Sequence, residues 1–139
     1  MRLWHYKLIP VLPNKMLVSQ WRECIAIKRQ WEKGTLNHRL VSYIKNYDKE
    51  YFLEYLNIVI YEMIKWNIKY NKKYYNEIFD FCEIDDAAIS KYLYYNEHNN
   101  RYLKQCYYNL QEKYDRGIIT KEEWEKIGDL IWRKKNYKD

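Results

Sequence analysis

Both prolines of this chain, Pro10 and Pro13, fall within its first thirteen residues, and the rest of its 139 residues contain three glycines and no proline. Every later residue keeps its amide donor, so everything after Pro13 can run as helix without a proline break. The prolines end any helix in the opening segment, which reads as an extended arm from Met1 to Pro13. With 47% hydrophobic residues the chain can bury a core, and its length suits one domain.

Helical spacing then organises the sequence. Asn14 caps a helix from Lys15 to about Lys33, stopped by Gly34, with Leu17, Trp21, Cys24 and Ile25 on one stripe and Glu23 beside it. Residues 35–46 form a short basic connection of one or two turns. Asp48 caps a second long helix to about Asn67, with Phe52, Leu56, Val59, Ile60 and Met63 at helical spacing. Residues 69–86, rich in tyrosine, asparagine and acid, read as irregular. A third helix runs from Arg101 to Lys113, and Gly117 turns the chain. Thr120 and Glu123 form a capping box that opens a last helix, with Trp124, Ile127 and Ile131 inward. The expected fold is all-α: a compact single domain of about four helices with an extended N-terminal arm.

Charge separates the two ends of the chain. Residues 1–50 carry ten Lys or Arg against four acidic residues, which accounts for the whole net charge of +6. Clustered cations suit a phosphate-bearing partner, because released counterions drive that association. Three widely spaced cysteines without a CxxC pair fit a reducing compartment. The three histidines and three cysteines show no metal-ligand spacing, so no metal site is expected. No apolar run reaches the ~20 residues needed to span a bilayer, and the opening segment is too short and aromatic for a secretory signal. The expected location is the cytoplasm, with no membrane partner. The basic tail, residues 133–138, reads as a solvated end.

Trp21-Arg22-Glu23 places a carboxylate beside a cation on the helix that follows the arm. On its own that is an ordinary surface pair. The opening, however, resembles the pyrimidine-dimer DNA glycosylase/AP lyase family of phages and bacteria. The resemblance lies in Met1-Arg2-Leu3-Trp4-His5, Leu8-Ile9, Leu12-Pro13 and Arg22-Glu23-Cys24. It continues more sparsely through His38, Glu62-Met63, Glu97-His98-Asn99 and Asn109 to Lys113, so it covers about residues 1–113. Residues 114–139 would then form a C-terminal helical-hairpin extension packed on that domain, like hairpin tails found at the ends of many bacterial proteins.

The resemblance implies a repair enzyme acting on double-stranded DNA, with an α-amine as nucleophile and a first-helix glutamate assisting. It assigns those roles to Met1 and Glu23, since the bulky Arg2 should block removal of Met1. At Met16 the sequence departs from the histidine of the family's first helix. The resemblance further implies DNA contacts at Arg2, Arg22, His38, Arg39 and Lys113, with Trp4 and His5 as candidate lining of the active site. A basic face of Arg2, Arg22, Arg29, Lys33 and Arg39 would surround it. An α-amine titrates near 7.7–8.0 against about 10.4 for lysine, so more of it is neutral and nucleophilic near pH 7. Such imine chemistry calls for no metal or organic cofactor. Two other classes fit the same composition: a catalytically inactive nucleic-acid-binding protein, and a helical protein-interaction module.

Overall fold

The computed structural model describes residues 1–84 and 93–136, with side chains through Ile131. Among these residues every regular element is helical. Five α-helices follow in order: α1 (Asn14–Glu32), α2 (Lys49–Lys65), α3 (Lys72–Cys82), α4 (Asn100–Asp115) and α5 (Lys121–Asn136). Short 3-10 helices at Tyr6–Val11 and Ser42–Asn46 precede α1 and α2. The side chains of the basic tail lie outside the described ones.

The arm is only partly extended. From Tyr6 it coils into a 3-10 helix that accommodates Pro10, whose fixed φ suits that geometry. His5 caps this helix, its side chain accepting from the Lys7 amide. The coil turns Leu8, Ile9 and Val11 into the core. Gly34 follows α1 at φ +74, a left-handed backbone that favours a residue without Cβ.

The stretch read as irregular from residue 69 contains α3. The Asn71 side chain caps it by accepting from the Lys73 amide, and Ile78 and Cys82 are buried four residues apart. Trp31 of α1 fits between Phe52 of α2 and Phe81 of α3, with ring centroids 5.9 and 5.4 Å away. Tertiary packing therefore sustains a helix that its asparagine- and tyrosine-rich sequence only weakly favours. Residues 85–86 of the stretch lie outside the described residues.

α1 packs chiefly on α2, and α3 leans on both. Tyr107 and Tyr114 of α4 stack on Trp124 of α5, at 5.0 and 5.3 Å between centroids. The predicted capping box opens α5: the Thr120 amide donates to Glu123 Oε1 at 2.9 Å, and the Glu123 amide donates to Thr120 Oγ1 at 3.2 Å. α5 also packs against the first 3-10 helix, so the last helix braces the beginning of the chain. One continuous core includes Leu3, Leu17, Leu56, Cys106 and Ile127.

Candidate active site

The first peptide group of the chain sits on Glu23. The Arg2 amide donates to Glu23 Oε2 at 3.2 Å, and the Gln20 side-chain amide donates to the same oxygen at 3.3 Å. Covalent geometry then holds the Met1 amine within ~7 Å of that oxygen. Met1 and Glu23 are both half-buried. Glu23 Oε1 has no protein partner among the described residues, and the Met1 amine forms no ion pair among them.

Gln20 organises this corner. Its Oε1 accepts from the Trp4 amide at 2.9 Å and from the Tyr55 hydroxyl at 3.1 Å, while its Nε2 donates to the Arg2 carbonyl at 2.9 Å. The backbone partners have fixed polarity, so the orientation of the Gln20 amide follows from them. The single Tyr55 hydroxyl proton is shared between Gln20 Oε1 and the nearer Trp4 carbonyl, at 2.5 Å. Gln20 and Tyr55 escaped the sequence reading, although Gln20 stands one helical turn before Glu23 on the same face of α1.

A second polar cluster holds the other side of the arm. His5 Nδ1 accepts from the Lys7 amide at 3.1 Å, so the proton is on Nε2, which donates to the His98 carbonyl at 2.8 Å. His98 Nδ1 accepts from the Tyr6 amide at 3.2 Å, and its Nε2 donates to the Tyr43 hydroxyl oxygen at 2.7 Å. Burial pushes His5 down to about 4, with the His98 carbonyl opposing and Lys7 adding to the shift. Burial together with the His5 ring 5.1 Å away pushes His98 down to about 3. The Tyr102 hydroxyl donates to the Leu3 carbonyl at 2.5 Å. Burial raises the Tyr102 hydroxyl well above its usual range, and the nearby Arg2 pulls in the opposite direction.

Beside this corner α4 borders a shallow trough formed of two depressions of about 350 and 280 Å³ that share Leu40, Tyr102 and Gln105. Arg2 lines the first, with Tyr108, Asn109 and Glu112; Arg39 and Arg101 line the second, with Tyr43 and Glu97. Arg101 is a cation that the sequence reading did not assign to this face. The guanidinium of Arg2 lies 5.4 Å above the Trp4 ring, which backs it from the core.

The structure thus brings Met1, Arg2 and Glu23 together and places Arg39 along the neighbouring trough. Arg22 is exposed on α1, outside the residues lining the trough. Arg29 lies 5.2 Å over Tyr74 of α3, and Lys33 is exposed just past α1. His38 is exposed and its Nδ1 accepts from the Leu40 amide, which shapes the loop that carries Arg39. Lys113 is half-exposed on α4 and does not line the trough. Expected as lining, His5 is instead 1% exposed with both ring nitrogens engaged, so it supports the arm from within the core. Trp4, at 9%, also belongs to the core. Cys24, Cys82 and Cys106 are buried free thiols. Among the described residues no cluster of His, Cys, Asp or Glu has the makings of a metal site, and no helix is long and apolar enough to cross a membrane.

An all-helical chain whose first residues rest against a carboxylate of its first long helix has the frame expected from the resemblance. Residues 1–76 match the family described as pyrimidine dimer DNA glycosylase, and the chain belongs to that family. The match ends within α3, short of the 113 residues over which the resemblance was traced. No curated protein and no solved structure matches the chain.

Proposed function

We propose that this chain is a DNA glycosylase with AP lyase activity, acting on damaged bases in duplex DNA, pyrimidine dimers first among them. What supports the reading, beside the family, is the hydrogen bond from the Arg2 amide to Glu23 Oε2, which keeps the residue bearing the α-amine beside a carboxylate. The neutral Met1 amine attacks C1′ of the damaged nucleotide. The glycosidic bond breaks, and the base departs with its electron pair and takes up a proton. The secondary amine left at C1′ opens the sugar ring and becomes a protonated imine. The Glu23 carboxylate, through Oε1, then removes a C2′ proton. The electrons of that C–H bond expel the 3′ phosphate, which cleaves the strand by β-elimination. Water hydrolyses the imine and frees the amine.

In this reading the DNA backbone follows the trough, with Arg2, Arg39 and Arg101 against phosphates and Arg22, His38 and Lys113 as outer contacts. Residues 1–113 make up the glycosylase-like domain in this reading, and residues 114–139 are its C-terminal extension, of which the described part of α5 packs on the first 3-10 helix.

The test is borohydride trapping on a duplex that contains an abasic site. The wild-type chain should form a covalent adduct through its N-terminus. Glu23→Gln should still bind, and its strand cleavage should fall roughly 100-fold or more, because an amide cannot take up the C2′ proton. A one-residue N-terminal extension should abolish the adduct. If the extended chain traps at the wild-type rate, a lysine is the nucleophile. If neither chain traps, the protein binds DNA without cleaving it.

A further inference from the structure

A nucleophile at a chain end is tethered by one covalent link, and chain ends fray unless tied down. The arm here is tied down from two sides. On one side α1 and α2 hold residues 2 and 4: Glu23 and Gln20 take the polar groups of Arg2, Gln20 takes the Trp4 amide, and Tyr55 takes the Trp4 carbonyl. On the other side, Tyr102 of α4 takes the carbonyl of Leu3, and His98 just before α4 takes the Tyr6 amide through its ring and the His5 side chain through its carbonyl. Consecutive residues of an extended segment present opposite faces, so each side fixes what the other cannot reach. With one side released, residues 1–4 would pivot about the other.

We infer that His98 and Tyr102, both outside the residues that match the family, are positioning residues that hold the Met1 amine in register with Glu23. The inference rests on the proposed amine chemistry for its role in the reaction, and on the hydrogen bonds alone for the clamp. Leu3 is fully buried and His98 is 5% exposed, so water is a poor replacement for either partner. Tyr43 holds the far nitrogen of the His98 ring, so the ring's orientation has a support other than the arm.

Two measurements on one set of variants test it. The variants are Tyr102→Phe, His98→Leu, His98→Asn and a control, Tyr75→Phe, which loses a hydrogen bond to Asn57 between α3 and α2. In single-turnover trapping, Tyr102→Phe and His98→Leu should lower the limiting rate about tenfold or more, because small displacements of a reacting group cost rate steeply. The protein concentration at half-saturation should change less than twofold. His98→Asn should recover most of the rate, since its side-chain oxygen can accept from the Tyr6 amide, and Tyr75→Phe should match wild type. Amide hydrogen exchange without DNA should speed up at Arg2 and Trp4 in Tyr102→Phe and His98→Leu only. Unchanged exchange in those two variants overturns the clamp. Faster exchange with an unchanged limiting rate overturns the positioning role. If wild type forms no adduct while exchange still responds, the clamp stands and the imine reading fails. Should His98→Leu not fold, Tyr102→Phe carries both measurements.

Discussion

At the scale of single residues, the N-terminal corner depends on a few buried polar groups that must each find a partner. Gln20 serves three of them, and it is 1% exposed. Replacing it with leucine leaves the Trp4 amide and the Arg2 carbonyl without that partner, at about 1–3 kcal/mol for each group left unsatisfied. Gln20→Leu should therefore lower the midpoint of chemical denaturation by a margin well outside error. An unchanged midpoint would mean that the arm is not docked on α1. The two buried histidines make a separate prediction. Each is neutral in the folded chain down to about 4 for His5 and about 3 for His98, against an ordinary 6.5 when unfolded. Below 6.5 the unfolded chain thus binds more protons, so stability is fully present above that pH and falls as pH drops toward 4. Thermal melts between pH 8 and pH 4 should show this decline, with a smaller slope in His98→Asn. A slope identical in that variant would exclude His98 as a source of the decline.

At the scale of elements, periodicity and the last capping box were readable, and tertiary support was not. Pro13 rather than Asn14 stands at the N-cap of α1, and Asp48 makes no side-chain cap bond to α2. The capping box of Thr120 and Glu123 forms as its spacing dictates, since both groups are local. Thr120→Ala should cost about 1 kcal/mol in denaturation experiments, and Glu123→Gln much less, because a glutamine oxygen still accepts from the Thr120 amide. Equal losses from the two substitutions would contradict that account. α3 was hidden by its composition: Asn76 and the tyrosines depress local preference, and Phe81 meets the core through Trp31 of α1, whose ring also packs on Phe52. The spacing of Tyr74, Ile78 and Cys82 did carry the signal, at four-residue intervals on one helix face. The partners of the arm were less legible still. Glu23 stands out in sequence beside Trp21-Arg22, whereas His98 and Tyr102 meet residues 3–6 only after the chain has folded back over more than 90 residues.

Across the whole molecule, the charge asymmetry of the sequence meets a more mixed surface. Some cations of the first fifty residues pack on aromatic rings, as Arg29 does on Tyr74 and Lys49 on Phe81 at 4.1 Å. Arg39 stays exposed at the trough, where Arg101 joins it from the second half of the chain. Binding to duplex DNA should therefore weaken steeply with salt, and Arg39→Ala and Arg101→Ala should each reduce the log–log slope by about one. Arg29→Ala should leave that slope nearly unchanged. Titrations between low and physiological ionic strength check all three, and an equal effect of Arg29 would move the DNA path onto α1.

The bonds from His5 and Tyr6 to His98 span 93 and 92 residues, and that from Tyr102 to Leu3 spans 99. Contacts so distant in sequence form late, because the entropy of closing the loop is lost before the contact repays it. During synthesis the first residues emerge long before their partners near α4 exist. The arm that carries the proposed nucleophile must wait, unclamped, until more than two-thirds of the chain has left the ribosome. A fragment ending before residue 98 would retain Glu23 and the cations of α1, and it would lack the second half of the grip on its own first residues. The site is thus completed only when the chain through α4 has folded back onto its own beginning.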